Sequence, residues 1–203
     1  EHRKVVAEFL AQMDGITKAG DMEGVLVIGC TNYPGMLDKA LLRRLPVRVY
    51  IPLPEEEDRL ALLEKISGKN SDDIGPALTR EELSVIAKHT EFFSNSEISQ
   101  LVQAAYRQTI SEISQGNYFR RLSLPERGDI IIPCTEEEVQ ADGSGVTCQT
   151  YDDFSQEEKD RMRARAVTLY NLVQAMKLIK PVMNPDELAD YEQWTLDHGS
   201  SMK

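Results

Sequence analysis

The stretch from Gly24 to Pro54, GVLVIGCTNYPGMLDKALLRRLPVRVYIPLP, constrains the fold more than any other part of the chain. It contains two short apolar runs, 25–30 and 47–51, which are bounded by glycine or proline. Runs of this kind are typical of strands that are buried on both faces of a sheet. The polar segment between them is too long for a tight hairpin. The stretch therefore predicts two parallel strands joined by a crossover, and an α/β architecture.

Polar and basic residues lie between the two runs. Asn32 follows the first run, and Arg43 and Arg44 lie in a short helical segment before the second. An asparagine amide can orient a water molecule or contact a terminal phosphate, and a rigidly held arginine can neutralise charge on a transferred phosphoryl group. Taken singly, the same residues also fit a turn and a solvated helix end. The spacing alone leaves both interpretations open.

The full string resembles the second region of homology of the AAA ATPases, and within that family it resembles the meiotic clade. The usual form in that clade is close to ATNxPxxLDxAxRRRFxxRxYIPLP. The chain matches this form at the Thr31-Asn32 pair, at three of the arginines (Arg43, Arg44 and Arg48) and through the whole Tyr50–Pro54 tail. It departs at Leu42, where the clade often has a third arginine, and at Leu45-Pro46.

The resemblance implies a role for each polar residue. Asn32 would be sensor 1, and Arg43 and Arg44 would be arginine fingers that act in trans on a neighbouring subunit, with Arg44 contributing at least as much as Arg43. ATP and Mg would be the cofactors, bound mainly by residues upstream, because no GxxxxGK[ST] motif and no apolar run ending in paired acids occurs in the chain. We therefore expect the C-terminal portion of a hexameric ATPase, inactive by itself.

Residues 1–54 would be the end of the large α/β domain, and residues 55–127 would form the helical small domain, or lid, of such an enzyme. Amphipathic spacing after Pro54 predicts helices, and Thr79 with Glu82 has the spacing of a capping box.

A second capping-box signature, Ser94 with Glu97, predicts the start of a long helix. It lies within the string TEFFSNSEIS, where the family commonly has TxGYSGADI beside the adenine base. Ser94, Asn95 and Ser96 are therefore the adenine-side candidates by resemblance, with Asn95 and Ser96 in place of Gly-Ala.

The helical period breaks after residue 117, and residues 128–150 are predicted to form an inserted β-hairpin. Runs 129–133 and 146–150 are apolar or β-branched, and the Asp142–Gly145 turn could pair them in antiparallel fashion. A disordered acidic loop is the alternative. Residues 151–181 are predicted to form one helix that completes the small domain, and residues 182–203 a last helix with Asn184 as its N-cap.

This tail sharpens the resemblance. The insertion, followed by KPVMNPDELADYEQWTLDHG, is similar to the vacuolar protein sorting ATPases that disassemble ESCRT-III filaments. That likeness implies an ESCRT-III-like protein substrate, a ring of identical subunits, an assembly-promoting cofactor at 129–150, and a cytoplasmic location at endosomal membranes. Katanin and spastin, which sever microtubules, share the first and last parts but are not expected to carry the insertion. A microtubule-severing ATPase and a non-catalytic AAA-like binding module remain as alternatives.

Composition excludes several other classes. The net charge of −11 argues against a nucleic-acid surface, and no apolar run reaches the length of a membrane span. Three widely spaced cysteines without a CxxC pair argue against a zinc site, so no metal ligand is expected within the chain itself.

Overall fold

The computed structural model describes residues 2–18, 26–67, 74–125 and 128–200. The chain divides into two compact units. Residues 1–52 and 184–203 form one, called here the terminal unit, and residues 53–183 form the other, called the central unit. The finer domain boundaries expected at residues 127 and 150 stay predictions.

Most of the described chain is helical. The helices are α1 (His2–Lys18), α2 (Lys39–Arg44), α3 (Glu56–Ser67), α4 (Arg80–His89), α5 (Asn95–Gln115), α6 (Glu136–Ala141), α7 (Gln156–Lys159), α8 (Leu169–Leu178) and α9 (Pro185–His198). The strands are β1 (Tyr118–Leu124), β2 (Gly128–Pro133) and β3 (Val146–Cys148). Two 3-10 turns lie at Pro34–Met36 and Tyr151–Asp153. No helix within the described ranges is long and apolar enough to cross a membrane.

The two apolar runs that predicted buried strands form neither strand nor helix where they are described, at 26–30 and 47–51. Their side chains are exposed, with Leu26 at 80% and Ile51 at 83%. The strand prediction is therefore wrong for this structure. A strand persists only when a neighbour accepts its backbone hydrogen bonds, and no described segment forms a ladder with either run.

Four helices of the central unit, α3, α4, α5 and α8, enclose its main hydrophobic core. The fully buried large side chains of this core are Leu63, Ile86, Ile98, Leu101, Val102 and Leu172. Both predicted capping boxes are confirmed. In each of them the threonine or serine hydroxyl accepts from the glutamate N–H, and that glutamate carboxylate accepts from the N-cap N–H. The caps fix where α4 and α5 begin and so bring their apolar stripes to the core.

The insertion is antiparallel, as expected, but it contains three strands. β1 lies in the centre of the order β2-β1-β3, so Phe119 pairs with both Pro133 and Thr147. The prediction that 129–133 and 146–150 pair with each other is therefore wrong. β1 escaped detection because its YFRRLSL sequence is interrupted by two adjacent arginines. Both find partners across the fold: Arg121 contacts the Glu158 carboxylate at 2.6 Å, and Arg120 donates to the Asp142 carbonyl.

The acidic run between β2 and β3 is a short helix, and the disordered-loop alternative is wrong for it. Thr135 caps α6 in a capping box with Glu138. The same glutamate receives two hydrogen bonds from Arg165, at 2.7 and 3.0 Å. A bidentate ion pair of this kind ties the acidic helix to the following part of the central unit.

The single helix predicted over 151–181 is wrong, because two helices occur there with a non-helical segment between them. α7 ends at Lys159, and α8 begins at Leu169 behind a Thr168–Asn171 capping box. The intervening backbone bonds to Ile131 on one side and to Ile74 on the other. These hydrogen bonds replace the ones that a continuous helix would have made.

The link between α4 and α5 holds its backbone in an unfavourable conformation. Phe92 has a φ of 64°, the left-handed region that favours glycine, and it is the only described non-glycine residue with a positive φ. Beside it, the buried Thr90 hydroxyl donates to the Ile86 carbonyl at 2.9 Å and so helps to end α4.

We predict that Phe92→Gly is more stable than Phe92→Ala by about 1 kcal/mol in the 203-residue chain, because alanine keeps the left-handed strain and glycine does not. Urea unfolding measures the difference. The matched pair Glu91→Gly and Glu91→Ala, at the preceding exposed position, should show alanine as stable as glycine or more so. An alanine variant at Phe92 as stable as the glycine variant would contradict the prediction.

Candidate functional site

The Asn32 loop is fixed through its backbone and leaves its amide in solvent. The Thr31 hydroxyl accepts from the Tyr33 N–H at 3.0 Å, which closes a small turn around Asn32. The Asn32 carbonyl accepts from the Tyr191 hydroxyl of α9 at 2.6 Å. The Asn32 side chain itself is exposed. The loop therefore presents a carboxamide from a backbone that is held on both sides.

The two candidate arginines lie in the last turn of α2. Asp38 begins this helix by accepting from the Ala40 N–H at 2.7 Å. Arg43 is exposed, and among the described residues its guanidinium makes no hydrogen bond or ion pair. Arg44 is half-buried, and its Nη1 donates to the Ala40 carbonyl at 3.1 Å. Arg43 is the more accessible of the two.

A third arginine connects α2 to the end of α9. Arg48 donates from Nη2 to the Leu42 carbonyl and from Nη1 to the His198 carbonyl, each at 2.7 Å. Its backbone also pairs with Ser200, since the Ser200 N–H donates to the Arg48 carbonyl and the Arg48 N–H donates to the Ser200 hydroxyl, both at 3.0 Å. We call this set of contacts the C-terminal latch. It satisfies carbonyls at the ends of two helices at once.

The latch depends on a close approach of the chain after α9. A Cβ atom added at Gly199 would lie 2.5 Å from the Thr195 carbonyl oxygen, which no side chain tolerates. Glycine therefore lets the chain turn tightly enough for Ser200 to reach Arg48.

The adenine-side candidates lie in the central unit, at the start of α5. The Ser94 hydroxyl and N–H both donate to the Glu97 carboxylate at 2.7 Å, so Ser94 is committed to the capping box. Asn95 and Ser96 are exposed. Asn32, Arg43 and Arg44 belong to the terminal unit, so the structure keeps the two groups of candidates in separate units.

Within the described residues, no group of three or more histidine, cysteine, aspartate or glutamate side chains could hold a metal ion.

Sequence reasoning missed two residues, one that contacts the end of the chain and one that lies in its last helix. Arg48 lies in the matched string and Tyr191 in the predicted last helix, and neither was assigned a role from the sequence.

Comparison with known proteins relates the chain to one family. Residues 1–53 match the family described as ATPase family associated with various cellular activities (AAA). The chain is related to AAA proteins over most of its length. It is 28% identical to mouse vacuolar protein sorting-associated protein 4B over 204 aligned positions, which cover 97% of this chain and 43% of that protein. Zebrafish spastin is 37% identical over 152 positions, which cover 75% of this chain and 26% of spastin.

A solved structure extends the likeness to the fold. The AAA domain of FIGL-1 in complex with ADP superposes with a TM-score of 0.67 at 25% identity, covering 97% of this chain and 52% of that one. The expected fold class, part of an AAA domain with a helical lid and a small antiparallel insertion, is confirmed. The chain spans less than half the length of the sorting-associated relatives that it matches.

We predict that Arg48→Lys loosens α9 in the 203-residue chain, because lysine lacks the planar fork whose two Nη atoms bond separately to the Leu42 and His198 carbonyls. Hydrogen exchange of the α9 amides should accelerate by about tenfold, the equivalent of one charge-assisted hydrogen bond. Arg43→Lys, an exposed arginine of the same unit, is the control and should leave the exchange unchanged. Equal rates in wild type and Arg48→Lys would show that the latch does not hold the helix.

Proposed function

We propose that this chain is the C-terminal part of an ATP-hydrolysing AAA enzyme that disassembles protein filaments, with Asn32 as sensor 1 and Arg43 and Arg44 as arginine fingers that act in trans. The observation that carries the proposal is the exposed Asn32 amide and the exposed Arg43 guanidinium on backbone that is fixed by specific hydrogen bonds. Donors carried on a fixed backbone suit phosphate chemistry, since less of the site has to reorganise as charge develops.

Each residue would act on a different atom of the reaction. The Asn32 carboxamide would orient the water that attacks the γ-phosphate of the subunit's own ATP. The Arg43 guanidinium, with Arg44, would neutralise charge on the γ-phosphate bound by the neighbouring subunit, which requires the head-to-tail contacts of a hexameric ring. Magnesium bound with ATP would neutralise the β- and γ-phosphates. Asn95 and Ser96, with the backbone of Ser94, would lie beside the adenine.

The choice of substrate is supported by how much of the chain each relative matches. The sorting-associated proteins align over 97% of it, and spastin over 75% at higher identity. We favour an ESCRT-III-like filament as the substrate, at the cytoplasmic face of endosomal membranes. Microtubules are the second candidate because of the spastin match, and a non-catalytic binding module is the third.

In the full-length protein, Asn32→Ala and Arg43→Ala should each leave ATP binding nearly unchanged and lower turnover. The loss should be about a thousandfold for Arg43→Ala, because the arginine contact forms in the transition state. Arg44→Ala should have a smaller effect, since that side chain is half-buried on its own helix. Single-turnover hydrolysis and nucleotide titration separate the two quantities.

The exposed Lys39 of α2 supplies the control, and Lys39→Ala should hydrolyse ATP normally. Wild-type turnover in an assembled Arg43→Ala ring would show that Arg43 is an ordinary solvated residue at a helix end and not an arginine finger. Stimulation of turnover by ESCRT-III-like polymers, but not by microtubules, would separate the two substrate candidates, and no hydrolysis by the wild type would favour the binding module.

We also propose that an assembly-promoting cofactor docks on the insertion, and the sheet order narrows the place to β3. The outer edge of β2 is occupied by backbone bonds between Ile131 and residues 161–163. β3 has β1 on one side and no described strand on the other. Free strand edges accept an added strand.

Cys148→Pro should abolish cofactor stimulation and leave basal ATP hydrolysis unchanged in the full-length protein. The Gly145 carbonyl accepts from the Arg121 N–H of β1, and the Gln149 N–H donates to the carbonyl of Asn117, just before β1. Alternation therefore directs the Cys148 N–H away from β1, where proline removes only an edge donor. Cys148→Ser is the control and should behave as wild type. Stimulation that survives in the proline variant would contradict docking on this edge.

A further inference from the structure

α9 contacts the Asn32–Arg48 segment of the terminal unit at two places. Its C-terminal end is held by the latch to Arg48, and its middle reaches Asn32 through Tyr191. It also lies beside Tyr50, whose pKa is raised by burial first and then by the Glu192 carboxylate and Tyr191. One helix therefore contacts the Asn32 loop and the stretch after α2.

The Tyr191 contact is the one that bears on the reaction. Asn32 has no side-chain hydrogen bond within the described chain, so the orientation of its carboxamide depends on how its backbone is held. The Thr31 hydroxyl holds the N–H side of the peptide group between residues 32 and 33, by accepting from the Tyr33 N–H. It makes no contact with the carbonyl side of that peptide group. Tyr191 donates to that carbonyl at 2.6 Å, a short and strong bond for an O–H donor.

We propose that the Tyr191 hydroxyl is a positioning group for sensor 1: by fixing the Asn32 carbonyl, it sets the direction in which the Asn32 carboxamide meets the attacking water. The proposal rests on the function proposed above. Tyr191 itself contacts neither ATP nor water in this scheme. Its effect on catalysis passes through Asn32, because a small misplacement of a positioning residue is enough to slow a reaction strongly.

The experiment is a double-mutant cycle in the full-length protein with Tyr191→Phe, Asn32→Ala and the double variant. Phenylalanine removes only the hydroxyl and keeps the ring. The control is Tyr170→Phe, which removes the hydroxyl of an exposed tyrosine in α8 that makes no hydrogen bond among the described residues. For each variant, kcat, KM for ATP and melting temperature are measured.

We expect Tyr191→Phe to lower kcat by about tenfold with KM within about twofold of wild type. The double variant should turn over no more slowly than Asn32→Ala alone, because the hydroxyl has nothing left to position. Tyr170→Phe should match wild type in all three measurements.

Three results would overturn the positioning role. If Tyr191→Phe turns over at the wild-type rate while Asn32→Ala is impaired, Tyr191 has no positioning role and the proposed function still stands. A loss that multiplies with that of Asn32→Ala, or a Tyr191→Phe protein that fails to fold, makes the hydroxyl a general structural contact. Normal turnover in Asn32→Ala removes both the positioning role and the sensor assignment on which it rests.

Discussion

The central unit depends on the backbone hydrogen bonds of the segment between α7 and α8. The Ile131 N–H donates to Arg161 and the Ile131 carbonyl accepts from Arg163, while Ile74 makes the same two kinds of bond with Ala164 and Ala166. One extended segment thus joins the edge of the insertion sheet to the loop before α4. Phe119, Phe154 and Met162 close a second small core beneath it, the two rings edge to face at 5.0 Å. The insertion is built into the lid and does not project as a free hairpin.

Sequence reasoning succeeded where both partners of an interaction lie within one turn of helix. The capping boxes at Thr79, Ser94 and Asn184 need only a residue and another three positions later, so the pattern is complete in the sequence. It failed where a distant backbone competes. The apolar stripe over 156–180 has helical spacing, but Ile131 and Ile74 offer that backbone other hydrogen bonds, and the Thr168–Asn171 box restarts the helix late.

The same distinction between local and distant interactions applies to the candidate site. Asn32 and the two arginines could be proposed from a short string, because their chemistry and spacing lie within one segment. Their supports could not. Arg48 reaches the His198 carbonyl across 150 positions of sequence, and Tyr191 reaches Asn32 across 159. No local pattern encodes such contacts, and an arginine or an inward-facing tyrosine gives no sign of which carbonyl it will bind.

The turn before α5 shows how a departure from the family pattern can be accommodated. The family string has glycine where this chain has Phe92 and again where it has Asn95, and Phe92 keeps the left-handed backbone that glycine adopts without cost. Hydrogen bonds hold the start of α5 in place, where the family pattern has glycines. Glu97, itself buried, holds the Ser94 N–H and hydroxyl with one oxygen and the Val182 N–H with the other, at 2.6 Å. A carboxylate shared in this way fixes the start of α5 without help from the exposed side chains at 95 and 96.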